Sequence, residues 1–552
     1  MDRRSFLTHS ALAAAGAAAA GTAGGLLLPG DPAWAAKTNG PGRNGVSKAR
    51  PKRGGSLTFG TTAEEQGFNA SSARFDNVGV MYARTVFDPL AIIDGAGTWA
   101  PYLAKSITPS PDYTAWTITL RPTVIFHDGT PCNGAALLLN LQTYHTAFLT
   151  GIALKPVVQT VRQTGTLSVQ ISFKYPWVSF PFYLAGGTGS QMAWVMAPSM
   201  INAKTGGTDN PVGTGPFKFT AWIPNTHFTA TRWEKYWRKG LPYLDRITYK
   251  PIVDYTSRAD ALESGTIDMM ITDVPQNIVV YRGKQEWAYV DDSGPVVGEP
   301  TMDCLLLNLS KPPFDTATVR LAAAKAVTRA AYARIIDLGV NPVSEGLFVK
   351  GTPYYSKTSL PSYDPSHARE LVRRVAKKTG KPVTIDLGSI NSSSAERSAT
   401  YVQQKFEQVG FKVTKTVVQQ NELINNALQG NFEAYVWRQF GAVNPDLNYI
   451  FWSTTTITKS LSINMARNDD PRVQTQLLVG RSSTTAKARA KAYQKINEYF
   501  AQDLPYLWAD RATWAVVAHP DVQNFNNPTT PSGARAYGFI GGTIWPTQIW
   551  LS

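Results

Sequence analysis

The sequence predicts an α/β protein of two or three lobes, on three observations. Its 552 residues exceed the roughly 100–200 of an ordinary domain severalfold. Up to about residue 300, short alternating runs are broken repeatedly by turn clusters. From about residue 304, strand-like and helix-like periods alternate instead. The 44 Gly and 36 Pro supply many turns without approaching a collagen-like or disordered composition.

The elements follow in order. Alternation begins at Ser56-Leu57-Thr58-Phe59, after Gly54-Gly55. A second strand is expected at Trp116-Thr117-Ile118-Thr119-Leu120, where Trp116, Ile118 and Leu120 share one face. Pro109 to Asp112 and His127 to Pro131 are turns. Leu305-Leu306-Leu307-Asn308 reads as a short buried strand. Asp315 or Thr316 caps an expected helix carrying Val319, Ala322, Ala326 and Ala330. Asp364-Pro365 pairs a capping side chain with Pro at the first helical position, opening a helix through Leu371 and Val375 that stops by Gly380. A strand follows from Val383 to Leu387. Then comes a helix lined by Ala399, Val402, Phe406 and Val409, ended by Gly410. Phe411 to Lys415 and Phe432 to Trp437 are further strands, so this half predicts a parallel sheet with crossover helices. The aromatic tail after about 510, with Trp545 and Trp550, is expected to pack back onto the first lobe.

Residues 1–35 read as an export signal. Arg3 and Arg4 form a twin-arginine pair, Ala11 to Leu28 is mildly apolar, and Ala33-Trp34-Ala35 offers a cleavage site. A membrane anchor is the weaker reading, because Ala and Gly gain little in lipid. No later apolar run reaches spanning length, and no cysteine stands near the cleavage site. The expectation is a secreted or periplasmic protein without a lipid anchor. Of the net charge of +15, six units fall in residues 36–53, a Gly/Pro/Lys/Arg-rich linker expected to be disordered. Nucleic acid is a poor partner for an exported chain without a binding motif.

Two cysteines in a chain this long form no disulfide framework and no thiolate-rich metal site. Cys132 and Cys304 could pair after export or remain isolated buried thiols. The six His show no HExxH spacing, and no G-x-S-x-G elbow occurs. His127-Asp128 reads as a strand-end turn, and Gly213-Thr214-Gly215 as a turn lacking the rest of a phosphate loop.

Several segments in order resemble the family 5 solute-binding proteins of ABC importers, the dipeptide-, oligopeptide- and nickel-binding type. They are Gly54-Gly55-Ser56-Leu57-Thr58-Phe59-Gly60, Gly67-Phe68-Asn69, Phe87-Asp88-Pro89-Leu90, Pro101 to Ser106 and Leu120 to Gly129. Pro211-Val212-Gly213-Thr214-Gly215-Pro216-Phe217, Tyr236-Trp237, Glu263 to Asp268, Asn308, Pro313-Phe314, Val319-Arg320 and Asn444-Pro445-Asp446 continue the order to the second lobe. The resemblance spans roughly residues 54 to 550. It implies an α/β, two-lobed periplasmic-binding-protein type II fold (cluster C) with an extra subdomain in the first lobe. Lobe I would cover 54–300 with an insert at about 85–200, lobe II 301–510, and residues 511–552 would return to lobe I.

The implied function is capture of a peptide or peptide-like solute by hinge closure and delivery to ABC permease subunits, by a monomer without cofactor or metal. The alternatives are a free extracellular scavenger or sensor of an oligosaccharide or metal chelate, and a secreted hydrolase. The resemblance places Thr62 and Glu64 in the first lobe's ligand loop, and Asn391, Trp437, Arg438, Gln439 and Phe440 in the second lobe's contribution. Peptide-binding relatives commonly carry an Asp shortly after the Trp, and dipeptide-binding ones an Arg near the loop that here reads Ser389 to Ser393. Gln439, Phe440 and Gly441 stand in place of that Asp, and no Arg precedes Arg397. A buried charge without a partner is costly, so these substitutions favour a neutral, blocked or anionic ligand.

Overall fold

Ser56–Thr61 is the central strand of a seven-stranded sheet, running parallel to Arg246–Pro251 on one side and Met269–Thr272 on the other. Its inward residues Leu57 and Phe59 are fully buried. The computed structural model describes residues 44–65, 67–73, 75–187, 191–293, 300–458 and 461–552, all within one unit, Asn39–Ser552. The expected twin-arginine leader, residues 1–35, and residues 36–43 of the linker lie outside the described residues. The rest of the linker departs from expectation at its start. Gly45 packs on the Phe525 ring and its carbonyl accepts from Asn526 N at 2.8 Å, so the described linker opens with a docked segment.

The seven-stranded sheet has the order Ala288–Asp291, Ala515–Ala518, Met269–Thr272, Ser56–Thr61, Arg246–Pro251, His227–Arg232, Phe217–Ile223. A four-stranded antiparallel sheet, Ala104–Pro109, Ala115–Leu120, Ser168–Phe173 and Val158–Gly165 in spatial order, is inserted between helix Asn77–Val86 and strand Phe217–Ile223. In Ala115–Leu120, Trp116, Ile118 and Leu120 are buried on one face as their spacing predicts. Each such side chain contributes about 1.5–3 kcal/mol through burial.

The second lobe holds a five-stranded sheet in the order Lys412–Val418, Thr384–Ile390, Ala434–Gln439, Met302–Leu307, Tyr506–Arg511. The first three strands are parallel, with helices Ser393–Gln408 and Gln420–Gln429 as crossovers. Met302–Leu307 and Tyr506–Arg511 are antiparallel to their neighbours, which corrects the all-parallel expectation. The chain enters the lobe along one of these strands and leaves along the other, so they must run in opposite senses. Asp364 caps helix Pro365–Thr379 by accepting from His367 N at 3.0 Å, and Gly380 ends it with φ 69°. The helix after Thr316 spans only Ala317–Ala326. Extended Val327 and Thr328 break it, and Ala330 belongs to the next helix, Arg329–Ile335.

Two connections join the sheets: Asp291 to Met302 and Arg511 to Ala515. They bond to each other. Trp514 N donates to Asp292 Oδ1 at 2.8 Å, Asp292 N to Trp514 O at 3.1 Å, and Ala512 N to Thr301 O at 3.0 Å. A pair of crossing segments of this kind is a hinge. Cys132 lies in the core of the first lobe and Cys304 in the second lobe's sheet, both as free buried thiols, which closes the pairing alternative.

Candidate ligand-binding cleft

Ligands of open α/β sheets bind in the crevice outside the carboxyl ends of the strands. Asp273 follows the carboxyl end of Met269–Thr272, and Arg438 lies near the carboxyl end of Ala434–Gln439. These two side chains form an ion pair, so the ends of the two sheets face each other. Between the lobes lies a cavity of about 20 Å³, enough for about one water molecule. Gly441, Ala442, Val443 and Leu447, which follow strand Ala434–Gln439, form its second-lobe wall. Arg84, Ile93, Ala185, Tyr537, Thr543 and Trp545 are on the first-lobe side.

Arg84 sits in the last turn of helix Asn77–Val86 and is 4% exposed. Its Nη1 donates to Thr543 Oγ1 and Ile544 O, each at 3.1 Å, and its Nη2 to Gly186 O at 3.1 Å. The guanidinium lies 4.2 Å from the centroid of the Trp545 ring. Burial pushes its pKa down to about 9.

A second contact between the lobes surrounds Asp446, in the Asn444-Pro445-Asp446 turn. Asp446 Oδ1 accepts from Arg481 Nε at 2.9 Å, and both side chains are fully buried. Asp446 Oδ2 accepts from Trp177 Nε1 at 2.7 Å and from Ser179 Oγ at 2.5 Å, and Tyr183 OH donates to the Asp446 carbonyl. Trp177 and Tyr183 belong to the first lobe's core. The Arg481 guanidinium is stacked between Tyr449, at 3.6 Å, and Trp177, at 4.2 Å.

The residues selected from the sequence occupy varied places, and none of the seven lines the cavity. Thr62 is half-buried at the end of Ser56–Thr61. Glu64 accepts from Trp222 Nε1 at 3.0 Å and Asn225 N at 2.6 Å, so its carboxylate holds the turn between Phe217–Ile223 and His227–Arg232. Asn391 is exposed, its backbone N–H bound to Val418 O. Trp437 is half-buried against the second lobe's core, and Phe440 is 37% exposed. Gln439 is buried and donates to Asn448 Oδ1 at 3.4 Å. Arg438 is no free cation: its Nε donates to Asp303 Oδ1 at 2.7 Å, and its Nη1 to Asp273 across the lobes. Arg84, Asp446 and Arg481 were missed as cleft residues. The only sequence signal for Arg84 is a lone charge within the apolar run from Val78 to Val86.

The turns that carry the family resemblance are held by hydrogen bonds and close packing within the first lobe. Asp88 Oδ1 accepts from Tyr236 OH at 2.8 Å, and its Oδ2 from Trp237 Nε1 at 2.7 Å and Thr214 Oγ1 at 3.0 Å. Three sequence motifs therefore converge on one buried carboxylate. Gly213 and Gly215 lie against the Val86 carbonyl, where any Cβ would collide, so their small size serves backbone packing rather than a phosphate. His127 Nε2 lies 2.9 Å from Gly215 O, and burial lowers its pKa from 6.5 to about 4 despite that carbonyl. A depressed value means that the native state binds fewer protons. The neutral ring thus contributes stability above about pH 6.5 and loses it as pH falls toward about 4. The His127 ring proton followed by NMR should titrate near pH 4. A midpoint near 6.5 would contradict its burial as a neutral structural ring.

Among the described residues, no helix is long and apolar enough to cross a membrane, and no group of three or more His, Cys, Asp or Glu is placed to hold a metal. Two sheets joined by a two-segment hinge over a cleft define a hinged ligand-capturing fold. Residues 98–460 match the family model for bacterial extracellular solute-binding proteins, family 5 Middle. The chain belongs to that family. It is 27% identical over 418 residues to the glutathione-binding protein GsiB of Pectobacterium atrosepticum, covering 74% of this chain and 79% of that one. It is 25% identical over 465 residues to the nickel-binding periplasmic protein of Escherichia coli, covering 80% and 87% respectively. Its fold matches the periplasmic binding protein DppA of Helicobacter pylori in complex with the peptide STSA, with TM-score 0.78 and 20% identity over 91% of this chain and 98% of that one.

Proposed function

We propose that this protein captures a peptide or peptide-like solute between its lobes and delivers it to an ABC permease, acting as a monomer and without covalent chemistry. The observation that carries this is the cleft itself: carboxyl ends of two sheets facing each other, with only two connections to bend. Closure over a solute shifts an open–closed equilibrium, and the permease reads the closed form. Relatives named for glutathione and nickel, and a fold neighbour holding a peptide, support a solute of this size. The twin-arginine leader supports export as folded cargo, with Ala36 as the first mature residue.

Titrating residues 36–552 with glutathione, mixed tripeptides and a nickel–histidine chelate should give saturable one-to-one binding without turnover. Conversion of a bound solute to product would instead place the chain among the hydrolases. Within this proposal, Trp437 and Phe440 supply apolar surface to the bound solute, since Trp437 is only half-buried and Phe440 is 37% exposed. Trp437→Ala should weaken binding at least about tenfold, consistent with loss of about 1.4 kcal/mol or more. Unchanged affinity in calorimetry would remove Trp437 from the site.

A further inference from the structure

Arg84 carries a positive charge that no carboxylate among the described residues bonds. Its partners are the Thr543 hydroxyl, the Ile544 and Gly186 carbonyls and the Trp545 ring, all neutral. An arginine has five N–H donors, and these contacts use three. One donor remains on Nη2 and one on Nε, and the buried Nε has no partner. Two donors are what a bidentate carboxylate takes. Burying an ion without a counter-ion costs several kcal/mol, so a fold that retains one at a cavity wall has a use for it.

The other lining residues carry no formal charge, and the facing wall of Gly441, Ala442, Val443 and Leu447 offers no acidic side chain. The cavity wall therefore carries one positive charge and no negative one, which matches it to one negative charge. A dianionic phosphate would bring a second charge that this wall does not meet, whereas a carboxylate brings one. The cavity of about 20 Å³ is too small for a peptide-sized solute, so the solute enters with the lobes apart and the second wall closes on it.

We propose that Arg84 is the anion anchor of the cleft, placed on the first lobe, and that the captured solute bears a carboxylate. This rests on the reading of the cleft as a solute trap. It makes Arg84 a specificity-determining residue: the first lobe holds the acid end, and the neutral second wall sets what else fits.

The test uses residues 36–552 as wild type, Arg84→Gln and Arg84→Lys, with native mass spectrometry as the readout. The probes are N-acetylated tripeptide mixtures as free acids, the same mixtures as C-terminal amides, and neutral disaccharides. The acids should be retained at least tenfold better than the amides by the wild type. Arg84→Gln should lose acid binding about 100-fold, the scale expected when one member of a buried charge pair is removed, while Arg84→Lys stays within about tenfold of wild type. Amides or sugars retained as well as the acids would overturn the anion anchor and leave solute capture standing. So would Arg84→Gln binding acids normally with its thermal unfolding unchanged. If Arg84→Gln does not fold, the acid-to-amide ratio in the wild type and in Arg84→Lys decides. Retention of none of the three classes by the wild type would contradict solute capture itself, and the anchor with it.

Discussion

Asp446→Ala is expected to destabilise the protein by about 3–5 kcal/mol, the cost of stranding one member of a buried ion pair. Arg481 is fully buried, and Asp446 is its only carboxylate partner among the described residues. Removing the carboxylate leaves that guanidinium uncompensated and orphans the Trp177 Nε1 and Ser179 Oγ donors. Stacking on Trp177 and Tyr449 softens the loss without replacing the charge. Because Trp177, Ser179 and Tyr183 come from the first lobe's side of the cleft, the same substitution should also favour the open form. Asp446→Asn keeps an acceptor but no charge and should fall between wild type and Asp446→Ala. Urea unfolding reads both variants, and a change below about 1 kcal/mol for Asp446→Ala would show that the buried pair does not carry the stability assigned to it.

Arg438→Met should cost about 2 kcal/mol, less than the Asp446 change because the Arg438 side chain is 33% exposed and its pairs are partly screened. The loss divides by partner. Asp303 belongs to the same lobe as Arg438 and Asp273 to the other, so Asp303→Ala should destabilise the second lobe, whereas Asp273→Ala should mainly release the lobes from each other. Burial, followed by the charge of Asp303, holds Asp337 and Asp510 above the ordinary carboxylate range, and losing Arg438 would add further unpaired charge there. Small-angle scattering should show a larger radius of gyration for Asp273→Ala with nearly unchanged urea stability. The reverse pattern would assign the pair to folding rather than to closure.

Local structure was legible wherever it depends on neighbours in sequence. Alternation marked Trp116, Ile118 and Leu120, and the cap-plus-Pro signal at Asp364-Pro365 marked a helix start. Family motifs marked the fold because they are packing devices: Phe87-Asp88, Gly213-Thr214-Gly215 and Tyr236-Trp237 meet around the Asp88 carboxylate. The cleft was less legible, for the same physical reason in each case. A charge reveals its role only through its partner, and the partners are remote: Asp446 and Arg481 are 35 residues apart, and Arg438 and Asp273 165 apart. Arg438 was therefore expected at the ligand, with no sign in the sequence of the two carboxylates that hold it. Arg84 gave no signal, because what sets it apart is that no carboxylate among the described residues bonds it. Ala330 fell off its expected helix because the periodicity of small residues runs on through Val327-Thr328 although the backbone turns extended there.

Closure over a solute is tested most directly by a distance between the lobes. Spin labels at Lys239→Cys, on the first lobe, and Lys412→Cys, on the second, sit at exposed positions, while the two native thiols are buried and stay unlabelled. Pulsed electron resonance without solute should show a broad distribution with a long-distance component. Saturation with the tightest-binding solute of the titration panel should collapse it to one shorter distance. A distribution unchanged by a solute that demonstrably binds would contradict capture by hinge closure.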